Sequence, residues 1–337
     1  MSKLQTSYMG IALKNPIIVG ACNLSTDSLN LKRMEEAGAA AVVYKSLFEE
    51  QIHIENLQME DGMEAYNDRF VEASRIFPNI EHAGPKEFLI NLEQAVKSIN
   101  IPVIGSLNAV YDATWAEWAV KMEKTGIAGL ELNFYSIPGD FETSTRQIID
   151  QQIAALESVI KQVKIPVAVK LSSYYTNPLG FMKRLSESGA SGLVLFNRLF
   201  HPDICIDSEE HEYPYNLSGN DDNRLPLRFA GLLYDRIDAS VCASSGIYSG
   251  KDVVKMLLAG ADTVQVVSTL YKNGIDHLGE MIAEVETWMD TKSYHHISDF
   301  KGKLSQKTLK DPFSYKRAQY VDILMKSGDI LINRPQV

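Results

Sequence analysis

Eight short apolar runs, separated by stretches of helical period, constrain this chain more than any other feature. Four follow a proline or a short polar turn: Asn15 to Gly20, Ile101 to Ser106, Ile165 to Lys170 and Asp238 to Ser244. The other four follow an amphipathic stretch that ends in glycine: Gly38 to Lys45, Gly126 to Asn133, Gly189 to Asn197 and Gly260 to Ser268. Glycine at that point accepts the left-handed conformation of a helix exit. Runs that are continuously apolar, rather than alternating, indicate strands covered on both faces, as in a parallel sheet. Eight strand–helix units predict a (β/α)8 TIM barrel; a doubly wound open sheet is the competing arrangement, and the count of eight argues against it.

Two long excursions interrupt the repeat, so the barrel is expected to carry insertions after its second and sixth strands. Gln51 to Pro85 follows the second strand without a clear period, and Phe200 to Pro226 follows the sixth; excursions of that length are functional or lid-like. Ser25 to Ala37 reads as the first helix, with Ser25 or Thr26 as cap and Leu29, Leu31, Met34 and Ala37 inside. Ser144 to Val163 reads as a strong amphipathic helix, and Lys301 to Lys307 as a basic, solvated segment. No linker divides the chain. The expectation is one barrel domain over 1–310, with 311–337 as a tail packed on or beside it.

The 337 residues, 45% of them hydrophobic, suffice for a large core. With 33 basic residues against 43 acidic ones, the net charge of -10 disfavours nucleic acid as a partner. Cys22, Cys205 and Cys242 are too few for a disulfide framework or a metal cluster, and the seven histidines lack ligand spacing. Cys22 and Cys242 read as packing residues. No signal peptide or membrane-length apolar run occurs, so a cytoplasmic protein without membrane partners is expected.

In a barrel, the C-terminal ends of the strands face one site. Those ends supply Cys22 and Asn23, Lys45 and Ser46, Ser106 and Asn108, Asn133 and Ser136, Lys170, Asn197, Ser244 to Gly246, and Ser268. The set holds two lysines, four asparagines and several hydroxyls. It suits an uncharged or anionic hydrogen-bonding ligand such as a planar heterocycle, not a metal or a pair of glycosidase carboxylates. A lysine ending a buried strand requires a charged partner or a ligand. Lys45 and Lys170 therefore serve either a ligand or a structural ion-pair network. Ser245 and Gly246 after the seventh strand, with Ser268 after the eighth, suit a phosphate held on backbone N–H groups; a plain turn is the alternative. No Gly-x-Gly-x-x-Gly follows any strand, so a dinucleotide site is not indicated.

From about Leu4 to Leu304 the chain resembles the dihydroorotate dehydrogenase family, its soluble class more than its membrane-bound class. The resemblance rests on Asn15-Pro16, Lys45-Ser46, Glu131-Leu132-Asn133, Val169-Lys170-Leu171, Asn197, Ser245-Gly246-Ile247, Ser268 to Gly274 and Ile297 to Leu304. It implies an FMN-dependent barrel that oxidises dihydroorotate to orotate in pyrimidine biosynthesis, passing a hydride to the flavin while a base takes the neighbouring proton. By position Ser136 is that base, and Lys45 contacts flavin and substrate. Cofactor contacts are implied at Gly20, Ala21, Lys45, Ser46, Asn108, Asn133, Lys170, Asn197, Ser245, Gly246, Val267 and Ser268. Lys170 falls near the flavin's pyrimidine edge. Substrate contacts fall on Lys45, Asn133, Asn197 and Arg198.

Soluble relatives carry cysteine at the base position, where this chain has Ser136. The asparagine-bearing loop after the second strand is replaced by Ala73 to Asn79, and the serine that usually follows the sixth-strand asparagine is Arg198. Arg75 and Arg198 imply an anionic substrate. Three alternatives remain: a flavin enzyme of another dihydropyrimidine or related small anion, a flavin-free lyase using Lys170 as a Schiff-base nucleophile, and a barrel that only binds. A homodimer is expected, with a small-molecule substrate and an electron acceptor that the sequence does not name.

Overall fold

A computed structural model describes residues 3–52, 84–108, 112–135, 141–198, 201–214 and 217–326. Eight parallel strands close into a ring: β3 (Ile17–Val19), β4 (Ala41–Val43), β6 (Val103–Asn108), β7 (Gly129–Phe134), β8 (Val167–Leu171), β9 (Gly192–Leu195), β12 (Ser240–Ser244) and β13 (Thr263–Val266). Val19 pairs with Val42 and Val266 with Val19, so first and last strands meet and no edge is left. All eight runs expected from the sequence are strands of this (β/α)8 barrel, and nearly every residue in them is buried. Their outward side chains meet the helices, while Ile18, Val43, Ile104, Ala168, Val194 and Cys242 form a second cluster.

The floor of that second cluster comes from an N-terminal hairpin that the strand count leaves out. β1 (Thr6–Tyr8) and β2 (Ile11–Leu13) pair antiparallel around Met9 and Gly10, both at positive φ (53° and 78°), as a two-residue type I′ turn demands. Tyr8 and Met9 are buried against the barrel. A Cβ on Gly129 would lie 2.9 Å from Met9 Cε, and one on Gly192 would lie 2.8 Å from Met9 Cγ. Both strands begin with glycine because the hairpin plugs that end of the barrel.

The surrounding helices are α1 (Ser28–Glu36), α2 (Pro85–Ser98), α3 (Asp112–Glu123), α4 (Thr145–Gln162), α5 (Pro178–Glu187), α6 (Arg224–Leu233), α7 (Gly250–Ala259), the short α8 (Ser268–Asn273), α9 (His277–Thr291) and the terminal α10 (Arg317–Met325). α4 begins at Ser144 in a reciprocal capping box with Gln147. The first helix differs from expectation at its start. Asn23–Thr26 is a 3₁₀ turn, and Asp27 caps α1 by accepting from the Leu29 and Asn30 amides, which turns Leu29 outward to 70% exposure. The carboxylate at position 27 reaches two amides, where a serine hydroxyl further back reaches none.

The stretch beginning at Lys301 departs in part from expectation: Lys301, Gly302 and Ser305 are packed, while Lys303, Leu304 and Lys307 are exposed. Lys301 pairs with Asp262 at 2.7 Å, Gly302 and Leu304 donate their amides to the Leu257 and Leu258 carbonyls, and Gly302 sits on the ring of Tyr234. Of the insertion after β9, β10 (Asp203–Cys205) and β11 (Glu210–Glu212) form an exposed hairpin and Asn220–Asn223 a 3₁₀ turn. Of the insertion after β4, a two-residue strand β5 (Leu47–Phe48) pairs with the end of β6; residues 53–83 lie outside the described residues. The tail is met by Arg228 of α6, which donates to the Ser314 and Tyr315 carbonyls.

Candidate active site

Because all eight strands run parallel, their C-terminal ends open on one side, opposite the hairpin. A cleft of about 240 Å³ lies there. Ten residues expected to serve the site line it: Ala21, Lys45, Ser46, Lys170, Asn197, Arg198, Ser245, Gly246, Val267 and Ser268. Phe48, Phe196, Leu217 and Ile247 give it apolar walls, and Phe196 is braced edge-on by Phe229 at 5.2 Å between ring centres.

The remaining expected residues stand behind this lining. Asn133, at the end of β7, accepts a hydrogen bond from the Asn197 amide nitrogen at 2.7 Å. Asn108, at the end of β6, is buried with its Nδ2 donor unpartnered. Gly20 backs the eighth strand end, where a Cβ would lie 2.9 Å from Val267 Cγ2. Ser136 lies outside the described residues, as do Arg75 and the rest of the segment from Ala73 to Asn79.

The two lysines differ. Lys45 is half-buried on the cleft wall, and desolvation pulls its amine below the ordinary lysine value. Lys170 is more deeply buried; its Nζ donates to Gln265 Oε1 at 3.4 Å and lies 3.7 Å from Glu131 Oε1. The ion-pair role open to a buried strand lysine is thus present at Lys170. Arg198 is also engaged, forming an ion pair with Asp222 of the insertion. Cys22 lines the cleft, and burial outweighs its hydrogen bonds to raise its thiol above the ordinary value.

Around Ser245 and Gly246 the insertion folds back over the strand ends. The Gly246 N–H donates to Ser218 Oγ at 3.2 Å, and the Ser218 N–H donates to Ser268 Oγ at 3.1 Å. Lys272 Nζ and the Tyr248 hydroxyl both reach the Ser218 carbonyl. Gly246, at φ +70°, admits this approach: a Cβ there would sit 2.4 Å from the Asn223 nitrogen and 2.8 Å from the Gly219 oxygen. Polar groups from two strand ends and from the insertion therefore converge on one small region.

Sequence reasoning passed over Glu131, Gln265 and Ser218. Glu131 and Gln265 are polar residues inside otherwise apolar strands, a signal available in the sequence and given no role. Ser218 carries no local signal, because its importance comes from where a long insertion returns.

The family profile described as dihydroorotate dehydrogenase matches residues 61–289, about two thirds of the sequence. The chain belongs to the dihydroorotate dehydrogenase family. Among curated relatives, it is 28% identical over 314 residues to the dihydroorotate dehydrogenase B (NAD(+)) catalytic subunit of Thermoplasma volcanium, covering 90% of this chain and 98% of the relative. The protein of the same name from Methanocaldococcus jannaschii is 28% identical over 297 residues, covering 85% of this chain and 93% of the relative. A chloroplastic dihydropyrimidine dehydrogenase (NADP(+)) of Arabidopsis thaliana is 22% identical over 324 residues, covering 89% of this chain and 76% of the relative. Membership of the dihydroorotate dehydrogenase family makes the chain an oxidoreductase built on a TIM barrel. Among the described residues no helix is long and apolar enough to cross a membrane.

Proposed function

We propose that the cleft binds FMN and oxidises dihydroorotate to orotate. The observation that carries this reading is the composition of the cleft: a cation on its floor, apolar walls, and the polar groups of Gly246, Ser268 and Ser218 gathered at one end. The residues present suit the cofactor. The unpartnered Asn108 donor matches a site that a planar, hydrogen-bonding ligand enters. Ser245, Gly246, Val267 and Ser268 would hold the phosphate; Ala21, Ser46, Asn108 and Lys170 would hold the ring system.

When bound, FMN supplies the hydride acceptor. The protein's own residues do the rest. Lys45 and Lys170 present positive charge to the ring system and to an anionic substrate, in a site where apolar walls keep the dielectric low. Asn133 and Asn197, tied to each other, orient the substrate's amide groups. Arg198 stands at the edge of the cleft, where its pairing with Asp222 fixes the insertion beside the substrate. Ser136 takes the proton from the carbon next to the one that loses hydride, relaying it through Tyr135 or through water held by Asn133 or Thr143.

Oxidation of a different dihydropyrimidine is the second reading, favoured by the similarity to the Arabidopsis dihydropyrimidine dehydrogenase. The lyase reading loses support because Lys170 lies beside the Glu131 carboxylate, which favours an ammonium over a nucleophilic amine. Anaerobic addition of dihydroorotate to the yellow protein tests the main reading. Bleaching of the flavin band is expected; a band that bleaches with dihydrouracil and not with dihydroorotate transfers the assignment to the second reading. Heat release and mass measurement should yield FMN, and recovery of FAD or of no flavin defeats the cofactor assignment.

A further inference from the structure

The cleft's floor cation rests on a buried counter-charge to which the proposed chemistry gives no task. Glu131 is on β7, fourth in the ring, and Lys170 is on the neighbouring β8; Gln265 comes from β13, the eighth strand, on the opposite wall. The Gln265 amide spans the barrel between them. Its Oε1 accepts from Lys170 and its Nε2 donates to Glu131 Oε2. Glu131 Oε1 has no hydrogen bond and lies 3.7 Å from Lys170 Nζ. Glu131 and Gln265 are each 1% exposed.

The register explains the order of the charges. Lys170 stands opposite Asn133, and Glu131 stands opposite Ala168, two residues back along the strand. The ammonium is therefore one layer nearer the mouth, and Lys170 and Gln265 line the cleft while Glu131 does not. An ion pair kept for stability alone gains little over apolar packing of the same volume. A pair with a 3.7 Å separation and an unbonded carboxylate oxygen is poorly formed for that purpose. Its geometry turns the lysine toward the cleft, with the carboxylate behind it.

We propose that Glu131 is a positioning residue acting through Lys170. It supplies the counter-charge that keeps Lys170 an ammonium on a water-poor floor, while Gln265 holds the ammonium's direction toward the ligand. This rests on the FMN reading for what the ammonium faces, but not for the state of the lysine itself. The other titratable groups around the pair do not replace Glu131. Burial first of all raises Tyr8, Cys22 and Cys242 and keeps them neutral. Lys45, across the cleft, has the wrong sign, and Asp262 is paired with Lys301. Among the described residues Glu131 is the one carboxylate paired with Lys170.

The test is pulsed acylation of the full chain without flavin, from pH 6 to 10, using acetic anhydride and reading the Lys170 peptide by mass against exposed Lys183. In Glu131→Gln the Lys170 labelling profile should move to lower pH, raising its rate near pH 8 by about 10-fold, the factor of one pH unit. Glu131→Asp should restore a profile between the two, and Lys183 should not change. An unmoved Lys170 midpoint in Glu131→Gln overturns the proposal. If Glu131→Gln does not fold, the thermal midpoint of Glu131→Gln/Lys170→Met is compared with that of Lys170→Met, which leaves Glu131 buried without a counter-charge. The double variant should be the more stable, and a midpoint no higher overturns the proposal. Adding FMN to the parent should shield Lys170 from acylation; failure of that arm alone counts against the cofactor site and leaves the positioning role of Glu131 standing.

Discussion

Asn197 donates its side-chain amide to Asn133 Oδ1 across 2.7 Å, joining the ends of β9 and β7 over the intervening β8. The Asn197 backbone N–H donates to the Leu171 carbonyl at the end of β8, so three consecutive strand ends are held together. If these two amides bind the substrate as proposed, they act as one preorganised unit. Asn133→Ala and Asn197→Ala should each weaken orotate binding, and the double variant should lose less than their sum. A coupling on the order of 0.5–3 kcal/mol is expected for residues in contact. Strict additivity in orotate titrations would show that the two act separately.

Lys45 offers a prediction in pH. Burial lowers its amine from the ordinary value, so folding disfavours its charged form, and the charge is lost at lower pH than in a free lysine. If that charge serves the ligand, flavin reduction should fall on the alkaline side, below the free-lysine range near ~10.4. Lys45→Arg keeps the cation and should remove that alkaline limb. Lys45→Met should slow anaerobic reduction by ~10²-fold at neutral pH, the usual cost of one preorganised electrostatic group. Stopped-flow reduction across pH 7 to 10.5 checks all three. A Met variant with parental rates returns Lys45 to a structural role.

Gly246 carries a prediction about the insertion. Its φ of +70° disfavours any side chain, and the atoms that an added Cβ would meet, the Asn223 nitrogen and the Gly219 oxygen, are backbone. Neither can swing aside. Gly246→Ala should cost at least ~1 kcal/mol of stability from the backbone alone and should weaken FMN binding by displacing the turn at 219–223. Gly219→Ala is the control, since a Cβ there meets nothing within 4 Å. Equal melting temperatures and equal FMN affinities for the two variants would remove the argument for close approach.

The barrel was legible because its signals are local and repeated. Gly38, Gly126, Gly189 and Gly260 all have positive φ beyond a helix, as the glycine-terminated pattern requires. Each buried strand announces itself by a mostly apolar run. What the sequence hid depends on distant partners. The β1–β2 plug is two three-residue strands, too short for a period, and its fit shows only where Met9 meets Gly129 and Gly192. The Lys170 partners lie 39 and 95 residues away along the chain, on the neighbouring strand and on the opposite wall. The basic character of the segment misleads at Lys301 itself, because a lysine is either solvated or paired with one buried-edge aspartate, and only Asp262 decides it.

Ser136 stands three residues beyond Asn133, past the end of β7, in the position where family resemblance puts the base. A serine hydroxyl is a poor base by itself, so it works only if its proton is relayed onward. Tyr135 beside it and Thr143 beyond Ile137-Pro138-Gly139 are among the polar side chains that the sequence provides nearby, with Asp140 and Glu142 between. A positioned general base is worth ~10²–10⁴ in rate. Ser136→Ala should therefore keep FMN and orotate affinity while slowing anaerobic flavin reduction by about that factor, a loss in the chemical step rather than in binding. Ser136→Cys should retain measurable activity and move the pH optimum downward, because a thiol at ~8.5 ionises nearer neutrality than any hydroxyl. The competing role for Ser136 is to end a strand before a proline turn, where serine is favoured for its local hydrogen bonding. The two roles separate cleanly in single-turnover kinetics: if Ser136→Ala reduces its flavin as fast as the parent with the true substrate, Ser136 is a turn residue and the base lies elsewhere in the cleft.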